Sequence, residues 1–144
     1  MPIQNRFLDF SEQLVRGTQN FPTDVLKVVL TNTLPVNTNT VLSQIVQLPA
    51  TGGNLAGGLA TTPVVSRAAG VTTVTGTQVV FTAAGGTIGP FRYYVLYNDT
   101  TASPLKPLIS WVDHGSAVTL ADTETFTVKF NNTNPGTIFT AQVV

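Results

Sequence analysis

The stretch 124–131, ETFTVKFN, decides the fold class because its side chains alternate strictly. Its apolar and polar positions are Phe126, Val128 and Phe130 against Thr125, Thr127 and Lys129. A period of two places neighbouring side chains on opposite faces of a β-strand, so one face of this strand is buried and the other is solvated. The stretch therefore predicts a strand at the surface of a β-sheet core.

Other segments share the features of strands: they are short, rich in β-branched or aromatic residues, and bounded by Asn, Pro and Gly. They are 24–32, 40–48, 77–83, 91–99, 106–113 and 137–144, with 64–68 and 71–74 as weaker candidates. No helical pattern lies between them that could serve as a crossover, so the sheets should be antiparallel. About seven to nine such strands predict a β-sandwich or jelly roll, with a single domain over residues 1–144.

The one predicted helix covers residues 5–16, NRFLDFSEQLVR. Its apolar stripe recurs at spacings of three and four: Ile3, Phe7, Phe10 and Leu14. Gly17 follows as a C-terminal stop. The pattern thus predicts one short N-terminal helix beside the sheets.

Residues 49–63, PATGGNLAGGLATTP, interrupt the strand pattern with glycines and prolines. A loop of this length in a compact domain usually has a function. The segment lacks the Lys-Ser/Thr pair and the G-x-G-x-x-G spacing of phosphate-binding loops, so it predicts no nucleotide cofactor. We expect a contact loop instead.

Charge is scarce in this chain. Seven Lys and Arg balance seven Asp and Glu, so 10% of the residues are charged, against about 25% in a usual soluble domain. Zero net charge argues against a nucleic-acid partner and favours association between like subunits. The sequence has no long apolar run and no basic-then-apolar N-terminus, which predicts neither a membrane partner nor a secretion signal.

The stretch 110–116, SWVDHGS, contains the only Trp and the only His. Acid–base or nucleophilic catalysis would need a further group converging on His114, and a metal site would need more ligands. The pattern favours a strand that ends at Asp113, with Trp111 in the core and on the same face as Ile109. Without cysteine or a second constellation, we expect no catalytic residue, metal or cofactor, and hence no enzyme.

Four of these segments together resemble a known group of proteins. They are the strand DVLKVVL (24–30), the pair FRYYVLYND (91–99) and KPLISWVDHGS (106–116), and ETFTVKFN (124–131), with a Gly-rich middle. In this order they are similar to small virion proteins of tailed bacteriophages, including capsid cement or decoration proteins. The resemblance implies a β-sandwich that binds other structural subunits and carries no catalytic residues.

The resemblance implies a structural subunit of the virion, made in the host cytoplasm, that bridges neighbouring major capsid proteins. The charge-poor surface, with two-fold contacts being the commonest between like subunits, predicts a dimer. Placement in the tail, or a receptor- or glycan-binding module, remains the alternative. Candidate contact residues lie in the N-terminal segment, in the Gly-rich loop and on the strand 91–99: Phe7, Phe10, Gly52, Gly53, Asn54, Leu55, Gly57, Gly58 and Tyr94. On that strand Tyr93 and Tyr97 should share one face, and Tyr94 the other.

Overall fold

The alternating segments form antiparallel strands in the computed structural model, which describes residues 3–142. Within these residues the strands are β1 (Gln4–Arg6), β2 (Leu26–Thr31), β3 (Leu59–Thr61), β4 (Pro63–Ala68), β5 (Val71–Gly76), β6 (Val79–Thr82), β7 (Ile88–Asn98), β8 (Leu108–Leu120), β9 (Thr125–Val128) and β10 (Gly136–Gln142). One α-helix, α1 (Phe10–Arg16), and two short 3-10 helices, Leu42–Gln44 and Phe130–Asn132, join them. The predicted mainly β, antiparallel fold with one short N-terminal helix is confirmed.

The strands form three sheets. Their orders are β1-β8-β7-β2-β3, β10-β5-β4 and β6-β9. The main apolar core draws residues from all three sheets, including Val28, Val74, Phe81 and Ile109, each at most 1% exposed. The five-stranded sheet therefore packs one face, here called the inner face, against the two smaller sheets, as in a β-sandwich.

The other face of the five-stranded sheet, here called the outer face, has a smaller core of its own. Its buried members are Phe7, Val29, Leu42, Ile45, Val95, Tyr97 and Leu108. Leu42 and Ile45 come from a loop that crosses this face, and the prediction of a strand at 40–48 is wrong. A 3-10 turn brings residues i and i+3 to one side, whereas a strand would point them in opposite directions. Burying both residues on one face therefore requires the turn.

The helix was predicted to begin at residue 5, but it begins at Phe10. Residues Gln4–Arg6 instead pair with β8 as an edge strand. Phe7 belongs to the outer-face core and Phe10 to the main core, so their spacing does not reflect one helical stripe. Gly17 ends the helix with φ of 73° and its N–H bonded to the Leu14 carbonyl, which confirms the predicted stop.

A bulge shifts the alternation of β8. Leu96 pairs with Ser110 and Tyr97 with Leu108, which leaves Ile109 without a partner on β7. Ile109 enters the main core, while Leu108 and Trp111 both lie on the outer-face side. The predicted face shared by Trp111 and Ile109 is therefore wrong, because one inserted residue exchanges the faces beyond it. Tyr97 lies on the outer face and Tyr94 packs against the inner core, as predicted.

The strand β8 does not end at Asp113, as the sequence suggested, but continues to Leu120. Tyr93 pairs with Asp113 and Phe91 with Val118. Several residues of β8 therefore stand opposite a single residue of β7. The extra residues of β8 form a local projection that carries His114.

Candidate interaction surfaces

Asp113 and His114 are neighbours in sequence, but their side chains have different partners. Nε and Nη2 of Arg92 donate to the two carboxylate oxygens of Asp113 at 2.8 and 3.0 Å, and the Gly115 N–H donates to Oδ1 at 2.8 Å. These bonds stabilise the charged carboxylate and lower the pKa of Asp113. Asp113 thus forms an ion pair between β7 and β8, not a proton relay to His114.

The His114 ring packs edge-on against Phe126, with the ring centroids 5.2 Å apart. Two other carboxylates of this region bind backbone groups at turns. Asp122 accepts the Gly85 N–H at 2.9 Å, and Glu124 accepts the Ala121 N–H at 2.8 Å. Acid–base catalysis needs a partner within hydrogen-bond reach of the imidazole, and these carboxylates are committed to turns instead.

Trp111 lies at the margin of the outer-face core and is half-buried. Its indole Nε1–H donates to Asn37 Oδ1 at 3.2 Å. Its ring meets Tyr93 in a T-shaped contact with centroids 6.1 Å apart. The predicted core position is therefore only partly correct, since one side of the indole remains accessible.

Two glycines fix the Gly-rich loop by close backbone approach. A Cβ on Gly52 would lie 2.1 Å from the carbonyl oxygen of Thr87, and one on Gly58 would lie 1.8 Å from that of Val28. Both glycines also have positive φ, which side-chain-bearing residues rarely adopt. In this loop glycine permits contact with the sheets, so it is a packing residue.

Polar groups fasten the same loop from within. Asn54 is 7% exposed, and its Nδ2 donates to the carbonyls of Pro49 and Leu48 at 3.0 and 3.4 Å. The hydroxyl of Tyr97 donates to the Gly57 carbonyl at 2.6 Å. The end of the segment enters the five-stranded sheet as β3, so the predicted loop over 49–63 is irregular at 49–58 but ends in a strand.

The candidate contact residues differ in accessibility. Gly53 and Leu55 are exposed, Gly52, Gly57 and Tyr94 are half-buried, and Phe7, Phe10, Asn54 and Gly58 are buried. Phe7 and Phe10 are only 1% and 4% exposed. A partner cannot contact these two rings in this conformation, which corrects their assignment as contact residues. Leu55, at 57% exposed, is the apolar side chain that the loop offers.

A buried polar cluster ties residues 18–24 to the end of β7. Asn98 is fully buried, and its Nδ2 donates to Gln19 Oε1 at 2.7 Å and to Asp24 Oδ2 at 2.6 Å. Its Oδ1 accepts the Thr100 N–H at 2.9 Å. The N-terminal segment, which the sequence suggested was free for contacts, is therefore bound to the sheet.

Asp99 follows as the centre of an ion-pair cluster. Lys27 Nζ lies 3.0 Å from its Oδ2, and Lys106 Nζ lies 3.3 Å from its Oδ1. Partial burial acts to raise the pKa of Asp99, but the two ammonium groups outweigh it and bring the pKa below its usual value. The cluster joins β2, β7 and the segment before β8.

A cavity of about 210 Å³ opens between the inner face of the five-stranded sheet and β9. Its lining includes the buried apolar side chains Val28, Leu96 and Phe130 and the exposed polar ones Lys129, Asn131 and Asn132. Tyr94 and Phe126 lie between these groups with ring centroids 6.0 Å apart. Burial raises the pKa of the Tyr94 phenol. The cavity thus combines an apolar floor with an uncharged or cationic mouth.

A second cavity, of about 360 Å³, lies where β1 and β10 approach each other. Each of these is an edge strand of its sheet. From β1 the cavity is lined by Ile3, which precedes the strand, Gln4 and Arg6, and from β10 by residues 137–140. Gln4 and Asn131 also line the first cavity, so the two cavities adjoin.

Arg6 connects the two edges. Its Nη2 donates to the Ile138 carbonyl, at the irregular point of β10 between Thr137 and Phe139. The guanidinium carbon lies 5.9 Å and 5.7 Å from the ring centroids of Phe10 and Phe139. Burial lowers the pKa of Arg6. Among residues 3–142 its buried Nη1 has no hydrogen-bond partner, a condition that costs about 1–3 kcal/mol for a buried donor.

The sheet β10-β5-β4 extends past the core as an exposed surface, here called the ribbon end, formed by residues 64–73 and 140–142. Every one of these residues is exposed or half-buried, whereas Val74 beside them is 1% exposed. Val64 and Val65 are 54% and 38% exposed, and Arg67 is the single charged residue. The ribbon end is therefore accessible, mildly apolar and nearly uncharged.

The outer edge of the ribbon end has backbone groups that no strand pairs within the described chain. The turn at Ala69 and Gly70 has two residues with φ of 50° and 78°, so Ala68 and Val71 form the hydrogen-bonded pair that closes it. Antiparallel pairs alternate in type, which directs the backbone N–H and C=O groups of Val65 and Arg67 away from β5. Because β4 is the edge of its sheet, these groups can accept a further strand.

In residues 3–142, no three His, Cys, Asp or Glu side chains are grouped as a metal site requires. The helices of this part of the chain include none that is long and apolar enough to span a membrane. Comparison with protein-family models, with curated proteins and with solved structures gives no match. The candidate sites therefore rest on the geometry of this chain alone.

Proposed function

We propose that this chain is a non-enzymatic structural subunit of a bacteriophage virion, a capsid cement or decoration protein that stabilises the shell by bridging neighbouring capsid subunits. The observation that supports this proposal is the ribbon end, which offers an unpaired edge strand and exposed valines with one charge. Such a surface is suited to burial against protein, because little charge must be desolvated when it is covered.

The ribbon end also supports self-association as a dimer. Two β4 edges related by a two-fold axis can pair as antiparallel strands, which would join two three-stranded sheets into one of six strands. A register that places Val65 opposite Val65 buries apolar surface and keeps the two copies of Arg67 apart. A register with Arg67 opposite Arg67 is disfavoured, since like charges directly across a strand pair repel.

Several features support the virion in particular. The segments at 24–30, 91–99 and 106–116 resemble small phage virion proteins, and the balanced charge offers neither nucleic acid nor an anionic membrane an electrostatic partner. The proposed partners are the major capsid protein and a second copy of this chain. The protein would be made in the host cytoplasm, act without a cofactor and end in the virion.

Self-association is tested by Val65→Lys, with Val80→Lys as the matched control. The two valines are 38% and 40% exposed and both lie in strands. A lysine at residue 65 would place like charges across the two-fold axis, so we expect a monomer in sedimentation-velocity measurements, while Val80→Lys remains dimeric. The β4 interface would be contradicted if the wild-type chain is monomeric after a sample at about 1 mM is diluted 100-fold. It would also be contradicted if the two variants have the same oligomeric state.

Placement in the capsid is tested by electron cryo-microscopy of virions assembled with this chain. We expect density for the sandwich on the outside of the shell, in contact with several capsid subunits. Density confined to the tail or to a fibre tip would reject the cement function and leave the fold unaffected.

One observation favours a glycan-binding module as the second candidate. The first cavity places the rings of Tyr94 and Phe126 beside the amides of Asn131 and Asn132, and rings with amide groups are suited to sugar hydroxyls and ring faces. Titration with a panel of neutral oligosaccharides, followed by the fluorescence of Trp111, distinguishes the two functions. Saturable binding would favour the module, and an unchanged spectrum favours the structural subunit.

A further inference from the structure

We propose that the groove between β1 and β10 binds an extended peptide segment of a protein partner, added as a strand to the free edge of β1, with two carboxylates spaced two residues apart. The inference rests on this groove and not on the ribbon end or the capsid assignment. Its parts are an open strand edge, a cation without a carboxylate, and space for a chain.

The strand edge follows from the register of β1. The Phe7 N–H donates to the Ile109 carbonyl, and Asn5 pairs with Trp111 two residues earlier. Because hydrogen-bonded pairs alternate along an antiparallel ladder, the backbone groups of Gln4 and Arg6 point away from β8. Within the described chain β1 has no second neighbour in its sheet, so these groups are open to an added strand.

The cation is Arg6. Two of the other arginines have acidic partners: Arg92 pairs with Asp113 across two strands, and Arg16 pairs with Glu12 one turn earlier in the same helix. The guanidinium of Arg6 instead lies over two phenyl rings, and its buried Nη1 has no partner among residues 3–142. Because Nη2 already donates to the Ile138 carbonyl, Nη1 is the donor that is left for an incoming carboxylate.

The lining gives the charge and the space. No Asp or Glu lines either of the adjoining cavities, whereas Arg6 lines one and Lys129 the other. Gln4 and Arg6 both project to the inner face, since they pair with Val112 and Ser110. Peptide residues opposite these two positions would project to the same face, so two acidic residues separated by one other residue can reach Arg6 and the Gln4–Lys129 side together.

An acidic peptide is favoured over other anions because the groove is bordered by strand edges. A peptide can use both the backbone groups of β1 and the guanidinium, whereas a nucleic acid or a free phosphate can use only the charge. The partner class is thus an extended protein segment with acidic residues at alternate positions.

The experiment uses fluorescein-labelled, end-capped hexapeptides and fluorescence anisotropy. The peptide TEVEVT carries its glutamates on one strand face, and TEEVVT has the same composition with the glutamates on opposite faces. We expect TEVEVT to bind roughly tenfold more tightly. Equal affinities, or no binding of TEVEVT at millimolar concentration, would overturn the proposal, as would tighter binding of a thymidine hexanucleotide.

Two pairs of variants locate the binding. Arg6→Met should weaken TEVEVT binding roughly tenfold, while Arg67→Met, at an exposed arginine of the ribbon end, should leave it unchanged. Gln4→Pro removes an outward backbone donor and Gln4→Ala only the side chain, so the proline variant should bind more weakly than the alanine variant. If Arg6→Met does not fold by circular dichroism, the Gln4 pair decides: equal binding by its two members overturns the strand addition.

Discussion

The Gly-rich segment 49–58 and the ribbon end are both poor in charge and rich in small residues, yet their environments are opposite. The first is held in place by hydrogen bonds of Asn54 and of the Tyr97 hydroxyl, and by close backbone contacts at Gly52 and Gly58. The second is a regular hairpin edge that nothing covers within the described chain. The glycine content of a segment therefore does not show whether the segment is accessible to a partner. What separates the regions is whether their backbone groups have partners inside the molecule.

The sharpest test compares Gly58→Ala with Gly70→Ala. The two glycines have nearly the same φ, 76° and 78°, but an added Cβ would lie 1.8 Å from the Val28 carbonyl oxygen at Gly58 and would meet nothing within 4 Å at Gly70. We expect Gly58→Ala to lose about 4 kcal/mol or more of the free energy of unfolding. Gly70→Ala should lose about 1 kcal/mol, the backbone term alone. Urea unfolding measures both losses. Equal losses would show that the loop moves to accommodate the Cβ at little cost in free energy.

Removal of the buried amide should have the next largest effect. Asn54→Ala leaves the carbonyls of Pro49 and Leu48 without their buried donor, so we expect a loss of about 1–3 kcal/mol in the free energy of unfolding. Leu55→Ala, at the exposed neighbour, should change it by less than about 0.5 kcal/mol. If the two variants unfold at the same urea concentration, the amide does not anchor the loop.

Acid should destabilise the body of the molecule and spare the ribbon end. The pKa of Asp99 is lowered in the folded state, so this carboxyl contributes stability above its unfolded pKa of about 3.9, and the contribution is lost as the pH falls through the folded pKa. Asp99→Asn should therefore be less stable than the wild type at pH 7 and approach it in acid. Arg67→Gln should follow the wild-type profile. Thermal unfolding between pH 7 and pH 2 distinguishes these curves.

The smallest effect is expected at the hairpin turn. Ala69 has φ of 50° beside Gly70, a conformation that Asn adopts more readily than Ala. Ala69→Asn should raise the free energy of unfolding by about 0.3 kcal/mol, seen as a shift of about 1–2 °C in the melting temperature. A lower melting temperature would indicate that the turn is not of the type inferred from its backbone angles.

Patterns within a few residues predicted much of the fold. The alternation at 124–131 and the β-branched runs at 24–32 and 91–99 correspond to β9, β2 and β7. The strand predicted at 40–48 is wrong because Leu42 and Ile45 both pack against the outer face of the five-stranded sheet, which a 3-10 turn allows and a strand does not. β1 was assigned to the helix because Phe7 and Phe10 have helical spacing but enter different cores.

The candidate surfaces could be predicted only in part. The unpaired Nη1 of Arg6 depends on β10, since the residue that its guanidinium binds lies 132 positions away, and no local pattern encodes that contact. The bulge at Ile109 leaves no mark in KPLISWVD, because the strand is apolar on both faces. The edge position of β4 likewise depends on the order of the strands in the sheet.

The position of β1 in the sheet has a consequence for synthesis on the ribosome. Gln4 bonds to Ser110, 106 residues later, and translation at about 5–20 residues per second separates their appearance by roughly 5 to 20 s. β1 is thus synthesised long before its neighbour β8, and until β8 emerges the backbone groups on both edges of β1 have no strand partner. Pairing of strands over such a distance in sequence is intrinsically slow, so β1 is expected to join its sheet late in folding.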